Sequence, residues 1–586
     1  PAAAHSRETR PMPERPPDPA FVNVATHLAD AARRHPFKRA VVCPAGRDRY
    51  GRVLYAQLTF RQLDTASDCI AHGLQCTRIG RGTRTILMVR PGIELFELIF
   101  AIFKVGAVPV VVDPGMGVRR MLACYRSTRP HAFIGIPPAH ALRTLCPNFF
   151  AGVRTRITVG RRWFWRGPTL KGLRCAPWKP FEIARTGPND PAAILFTTGS
   201  TGPAKGAVYT HGNFDAQLAQ IRSHLDFGDE EVDLSTFPLF ALFYPAMGVT
   251  AVIPDMDPTR PARVNPERIV EAIEDHGVTN MFASPALLER VGAYGRSRGI
   301  TFPSLKRVIS AGAPVQARTI ELFSSLLAEG AEIHTPYGAT EAVPVASIEG
   351  SEILGETRAL TDRGYGICVG RPINDIPVRI IAVSDDRILD WQDDLALPQG
   401  EIGEIAVRGP LVSRGYFDNP EADLLSKIPD RDGVWHRMGD LGWMDKKGRI
   451  WFCGRKSHRV MTAGGTLYTI PCESIFNTHP LVHRSALVGL GPRRQQVPVV
   501  CIELRASKSP VDRKALTAEL LALAGSHEIT RGIRIVLFHR GFPVDIRHNA
   551  KIFREQLAAW ASGKVKAETL RRCRQADLDD AERAPA

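Results

Sequence analysis

Between Ile194 and Gly206 the chain reads Ile194-Leu195-Phe196-Thr197-Thr198-Gly199-Ser200-Thr201-Gly202-Pro203-Ala204-Lys205-Gly206. An apolar strand runs into a loop with four hydroxyls, three glycines and one lysine within ten residues. Glycines let backbone N–H groups come close to an anion, hydroxyls add donors, and the lysine brings a full positive charge. This is equipment for phosphate oxygens. The spacing is not the Gly-x-x-x-x-Gly-Lys-Ser/Thr loop, and a plain turn has no use for so many hydroxyls beside a lysine.

Five further segments follow: Ser310-Ala311-Gly312-Ala313-Pro314, Tyr337-Gly338-Ala339-Thr340-Glu341, Gly439-Asp440, Gly448-Arg449-Ile450-Trp451-Phe452-Cys453-Gly454-Arg455, and Asn549-Ala550-Lys551-Ile552-Phe553-Arg554. Taken singly, Glu341 reads equally as a surface acid, Asp440 as a turn residue beside Gly439, and Lys551 as one more solvated lysine. Taken in series with the loop, they supply acids and cations where nucleotide chemistry needs them.

The six segments together resemble the adenylate-forming superfamily of acyl-CoA synthetases, luciferases and peptide-synthetase adenylation domains. The likeness runs from about residue 20 to about residue 560. It implies ATP and Mg²⁺ as cofactors. On this resemblance Thr197, Thr198, Gly199, Ser200, Thr201, Gly202 and Lys205 hold the phosphates, while Gly312, Ala313 and Pro314 line the adenine pocket. Tyr337 and Gly338 flank adenine, Thr340 contacts the α-phosphate, and Glu341 helps hold Mg²⁺. Asp440 accepts bonds from the ribose hydroxyls, Phe452 and Arg455 belong to the ribose and hinge segments, and Lys551 is the mobile lysine of adenylation. Catalysis then falls to Lys551, Thr340 and Lys205.

The implied chemistry is physically coherent. A carboxylate is a poor electrophile, and attack of its oxygen on the α-phosphorus of ATP turns it into an acyl phosphate anhydride. Two anions must meet, so cations offset the repulsion and stabilise the transferring phosphoryl group.

Departures from the superfamily pattern point further. Ser457 and His458 stand at the hinge, where Asp or Lys and then an acid are usual. The segment before the terminal lysine reads Pro543-Val544-Asp545-Ile546-Arg547-His548-Asn549-Ala550-Lys551, two residues longer than usual, with Ala550 for Gly. Ala241-Leu242-Phe243-Tyr244-Pro245 stands where CoA ligases carry a His. In these places, and in Ile253-Pro254-Asp255-Met256-Asp257-Pro258-Thr259-Arg260-Pro261, the chain is similar to the β-lactone synthetases of bacterial long-chain olefin biosynthesis. That likeness implies a long-chain 2-alkyl-3-hydroxy acid whose own hydroxyl closes a β-lactone after adenylation, without CoA. Association with the lactone decarboxylase and reductase of that pathway is implied too. Phe240, Phe243, Phe282 and Ser284 are the expected pocket, apolar or small. The acceptor of the hydroxyl proton stays open among His334, His436 and the adenylate phosphate. A long-chain acyl-CoA or acyl-AMP ligase is the alternative reading.

Positioning such segments requires alternating elements. Apolar strands at Thr85–Val89, Val108–Val112, Ala192–Phe196, Val249–Ile253, Asn280–Ala283 and Arg307–Ser310 alternate with amphipathic helices, which predicts α/β layers with largely parallel sheets. From Val378 to Val407 strands crowd together as an antiparallel unit. The expected division is a disordered tail at 1–20, a large α/β domain at 21–455 including the antiparallel subdomain, a small mobile α+β lid at 456–562, and a polar, fraying tail at 563–586. Thr462–Gly465 reads as a loop.

Composition narrows the class. At 586 residues, with 44% apolar and 23% charged residues, the chain has the balance of a multidomain globular protein. Its most apolar stretch, Leu95–Val112, is broken by Glu97 and Lys104, which predicts a buried helix and strand rather than a membrane span. Eleven scattered cysteines without metal spacing, and an N-terminus lacking an apolar signal core, point to buried thiols and a cytoplasmic setting. The net charge of +16 reads as dispersed, because Arg161-Arg162, Arg493-Arg494 and Arg571-Arg572 are short and far apart. No nucleic-acid partner is expected from it.

Overall fold

Four short β-branched or apolar runs, Arg84–Met88, Val108–Val111, Ala132–Gly135 and Thr155–Thr158, pair in parallel. Pro191–Phe196 joins them in parallel beside Val108–Val111, and Gly206–Thr210 closes the sheet antiparallel. The computed structural model describes residues 21–174, 179–196, 204–431, 433–506, 510–545 and 551–583. The tail expected at 1–20 lies outside them. Because the five parallel strands run the same way, their C-terminal ends share one edge.

The apolar stretch behaves as its interrupting charges foretell. Helix Ile93–Lys104 is buried almost throughout and strand Val108–Val111 follows it. Lys104 Nζ lies 2.6 Å from both Asp64 and Asp68, and Glu97 pairs with Arg174. A charge buried inside a helix needs such partners. No described helix is long and apolar enough to cross a membrane, and most described cysteines are buried free thiols.

A second sheet of fourteen strands contains both halves that the sequence suggests separately. Its parallel half holds Val232–Ser235, Asn280–Ala283, Arg307–Ser310 and Glu332–Ala339 as successive neighbours. At Glu332–Ala339 the direction changes. Ala342–Glu349 folds back antiparallel, and antiparallel pairing continues through Ile367–Pro372, Ile450–Arg455, Gly433–Met444, Gly403–Val407 and Val378–Ile381. The expected antiparallel subdomain is thus continuous with the α/β layer.

Beyond Arg455 a smaller α+β unit forms. Val482–Leu490 and Val497–Leu504 pair antiparallel, Ile535–His539 adds in parallel, and helices Thr469–Asn477, Arg513–Gly525 and Arg554–Ser562 cover the sheet. Two expectations are corrected here. Thr462–Gly465 is the tip of a hairpin between Val460–Thr462 and Gly465–Leu467. The polar tail expected to fray at 563–586 is instead, over its described residues, mostly the helix Ala567–Arg583. Leu570 and Cys573 pack against the core there, and Arg534 holds Asp577 at 2.7 Å, so a mostly polar helix still has one side to bury.

Candidate nucleotide site

Parallel strands deliver their C-terminal ends to one edge, and the second sheet uses this. Asn280–Ala283 ends at Phe282 and Ser284, Arg307–Ser310 at Gly312–Pro314, and Glu332–Ala339 at Thr340-Glu341, in adjacent registers. Crevices at such edges are the usual ligand sites of α/β sheets. Gly312 has φ +91°, a left-handed conformation that a side chain disfavours.

Thr340 and Glu341 form the turn between Glu332–Ala339 and Ala342–Glu349, with Ala339 opposite Ala342. The turn is braced from three sides. Tyr209 donates its hydroxyl to the Thr340 carbonyl, the Ser413 N–H donates to the Glu341 carbonyl at 2.8 Å, and Tyr416 donates to Glu341 Oε1 at 2.6 Å. Among the described residues Glu341 Oε2 accepts no bond. Lys205 Nζ stands 5.1 Å from the centroid of the Tyr416 ring, and Lys427 Nζ stands 5.9 Å from it. Gly206, next to Lys205, is where the strands close up: a Cβ there would meet Ile194 Cγ2 at 2.9 Å. The phosphate-loop residues Thr197, Thr198, Gly199, Ser200, Thr201 and Gly202 lie outside the described residues.

Sequence reasoning missed Tyr416 and Lys427. Lys427 is 6% exposed and donates to the Ser413 carbonyl. Burial pulls its ammonium down to about 8, against the pull of Glu341 and Asp423. A lysine at the junction of helix Pro420–Ser426 and strand Lys427–Asp430, just ahead of Ile428, was the available signal.

The opposite corner is built around Asp440. Gly433–Met444 and Ile450–Arg455 place Asp440 directly across from Arg455. Arg455 Nη1 donates to Asp440 Oδ1 at 2.6 Å, and the Tyr337 hydroxyl donates to Oδ2 at 2.8 Å. Tyr337 and Phe452 lie with ring centroids 6.2 Å apart. The Asp440 charge raises the Arg455 guanidinium above its ordinary value; burial, then Asp440, raises the Tyr337 phenol. The structure therefore gathers Tyr337, Phe452, Asp440 and Arg455, four of the expected residues. It ties them to Thr340 and Glu341 through one strand.

Phe240 and Phe282 pack at 4.7 Å, Phe237 and Phe240 at 5.2 Å, and Phe240 and Phe243 at 6.4 Å. Ala311, beside Gly312, packs in the same apolar cluster. Ser284 differs from its neighbours, since its hydroxyl caps helix Pro285–Arg298 through Leu287 N–H at 3.4 Å.

The two histidines raised by the sequence sit in different settings. His436 is buried, its Nδ1 stands 3.2 Å from the Ser426 carbonyl, and burial followed by Lys427 holds it well below 6.5. His334 faces Glu349 across the hairpin and packs against His224 at 6.2 Å. It lies six residues from Thr340, about 20 Å along a strand.

Lys551 is exposed in the small unit. Its N–H donates to Asp545 Oδ1 and its carbonyl accepts from Asp545 N–H, both at 3.0 Å. The stretch expected to be the hinge carries ion pairs on both sides of Ser457. Lys456 Nζ lies 2.9 Å from the fully buried Glu404, and Asp385 holds Arg459 and Arg493 at 2.7 Å each. The His458 imidazole, buried near Arg554 and Arg455, is held down to about 3.

No cluster of three or more His, Cys, Asp or Glu that could hold a metal occurs among the described residues. A single carboxylate with a free oxygen still suits Mg²⁺, which commonly takes one or two carboxylates together with substrate phosphates.

Residues 28–417 match the family described as AMP-binding enzyme. The chain is 48% identical over 553 residues to the olefin beta-lactone synthetase of Stenotrophomonas maltophilia, covering 93% of this chain and 99% of that one. It is 47% identical to the olefin beta-lactone synthetase of Xanthomonas campestris pv. campestris, covering 92% and 97%. The amide bond synthetase McbA from Marinactinospora thermotolerans shares the fold, with TM-score 0.74 at 21% identity over 92% of this chain and 99% of that chain.

Proposed function

The chain belongs to the AMP-binding enzymes, ATP-dependent ligases that form AMP, and on that footing we propose that it closes a β-lactone. Its substrate in this reading is a long-chain 2-alkyl-3-hydroxy acid. The observation that carries the reading is the 48% identity to an olefin beta-lactone synthetase over 93% of the chain.

In the first step a carboxylate oxygen of the acid attacks the α-phosphorus of ATP, and pyrophosphate leaves. Asp440 and Arg455 take the ribose, Tyr337 and Gly312–Pro314 the adenine, and Lys205 with residues 197–202 the phosphates. Glu341 would hold Mg²⁺, which would supply charge neutralisation at the phosphates. Thr340 and Lys551 serve the transferring phosphoryl group.

In the second step the 3-hydroxyl oxygen attacks the acyl carbonyl, the anhydride C–O bond breaks, and AMP leaves. The nucleophile is tethered to its electrophile, so this step loses no translational freedom. His436 is buried against the Ser426 carbonyl and His334 stands six residues down the strand from Thr340, which supports a transfer of the hydroxyl proton to the departing phosphate. Phe240, Phe243 and Phe282 form an apolar surface suited to the alkyl arms.

Mass spectrometry of the product from a long-chain 3-hydroxy acid and ATP–Mg²⁺, with and without CoA, tests the reading. Expected are AMP, pyrophosphate and β-lactone in equal amounts, with no effect of CoA. An acid lacking the 3-hydroxyl should stop at the adenylate. Its conversion to a CoA thioester at a comparable rate would replace the proposal with an acyl-CoA ligase.

A further inference from the structure

The positive charge is not dispersed as the clusters suggested. Between Asp113 and Glu182 the chain carries thirteen Lys and Arg and no Asp or Glu, against a net charge of +16 for the whole. This segment supplies the outer part of the six-stranded sheet, whose edge strand is Thr155–Thr158. After that strand the chain makes a loop, Arg161-Arg162-Trp163-Phe164-Trp165-Arg166, and returns so that Thr169 bridges to Thr158.

The loop is built to hold two rings outward. Trp165 is its anchor: it is buried, donates Nε1–H to Thr158 Oγ1 at 2.8 Å and stacks on His140 at 5.0 Å with the rings 12° from parallel. Trp163 and Phe164 pack on Trp165 at 5.4 and 5.1 Å, yet are 53% and 75% exposed. Arg162 closes the loop on the Gly167 carbonyl. Gly167, at φ +120°, is required there, since a Cβ would lie 2.3 Å from the Arg156 carbonyl oxygen. A chain that wanted these rings buried would not hold them up from a fixed base.

The surroundings complete a footprint. Parallel strands put the C-terminal ends of Arg84–Met88, Val108–Val111 and Thr155–Thr158 on the same edge. Beyond those ends stand exposed Arg90, Val118, Arg119 and Arg120, beside the arginines of the loop. Strands Val108–Val111 and Thr155–Thr158 are three strand spacings apart, about 14 Å. Glu94 is an exposed acid near this edge, and Asp113 is buried, with its carboxylate turned to the Gly115 N–H.

We propose that this edge docks on an anionic phospholipid bilayer, with Trp163 and Phe164 entering the interfacial layer and the arginines meeting lipid phosphates. Aromatic rings favour that layer, and basic side chains beside them add electrostatic attraction. Attachment of such a surface grows with the apolar area it buries and with its attraction to anionic lipid. Single-stranded nucleic acid would use rings lining a basic groove; here the rings project from a loop tip. The proposal does not depend on which acid the enzyme activates.

The test is flotation of the full chain with vesicles of phosphatidylcholine alone or with phosphatidylglycerol added. The protein should float with the anionic vesicles, and high salt should release it. Replacing Trp163→Ser and Phe164→Ser together should lower partition at least about tenfold. Arg161→Gln with Arg162→Gln should weaken it and flatten its salt dependence. Both variants should keep ATP–pyrophosphate exchange with a short soluble acid, which shows them folded. Failure of the wild type to float, or equal flotation of the ring variant, would overturn the proposal. So would displacement from vesicles by single-stranded RNA that needs the same two rings.

Discussion

Glu341 and Asp440 stand at two corners of the candidate site, and each receives a tyrosine hydroxyl with cations close by. At Asp440 both oxygens are engaged, by Tyr337 and Arg455. At Glu341, among the described residues, Oε1 accepts from Tyr416 and Oε2 accepts no bond, while the cations Lys205 and Lys427 stand over the tyrosine ring. In the proposed reading the first corner would exchange hydrogen bonds with ribose hydroxyls at little reorganisation. In the same reading the second would offer its other oxygen to Mg²⁺. Preorganised dipoles and charges of this kind cost nothing to assemble at the moment of reaction.

Asp233 shows what happens to a carboxyl buried without a cation. It is fully buried in strand Val232–Ser235, accepts from Ser235 Oγ at 2.5 Å, and is pushed up to about 8 by burial. The protein keeps it neutral, whereas Asp440 has a paired guanidinium.

Substitutions can break this comparison. The largest effect should come from Lys551→Ala, which leaves both corners intact. Exchange of pyrophosphate into ATP should fall by about 10²–10³ while nucleotide affinity measured by titration changes little. If affinity falls as much as rate, Lys551 belongs to ground-state binding. Next, Glu341→Gln keeps the acceptor for Tyr416 but removes the charge. It should lower exchange by about 10² and raise the Mg²⁺ concentration needed for half activity. Asp440→Asn should instead weaken ATP binding by about tenfold, with a smaller change in the rate at saturation. Equal Mg²⁺ dependence in these two variants would erase the distinction between the corners.

The smallest effect concerns stability alone. Asp233 has a folded pKa of about 8 against an ordinary 3.8, so the folded protein holds a proton that the unfolded chain releases. Stability is unaffected below about 4 and falls as pH rises from there to about 8. Asp233→Asn should flatten that decline, read as the difference in Tm between pH 5 and pH 8.5 relative to the parent. An unchanged difference would mean that Asp233 is ionised in the folded state.

The sequence by itself determined the order of the six segments, the α/β alternation, and the class of chemistry, because each depends on residue types close together in the chain. Strand ends fell within a residue or two of expectation at Arg84–Met88, Asn280–Ala283 and Arg307–Ser310. The tail helix Ala567–Arg583 was not legible, since a polar sequence does not announce the one side that Leu570 and Cys573 bury. Tertiary structure alone decided the rest. Tyr337 meets Asp440 across 103 residues and Tyr416 meets Glu341 across 75, and no periodicity encodes such a meeting. It also decided that Lys427 is buried, that the Ser284 hydroxyl caps a helix, and that His436 is buried against the Ser426 carbonyl while His334 packs on His224. Each of these turns on which groups share a dry space, and that is fixed only when the strands align their ends.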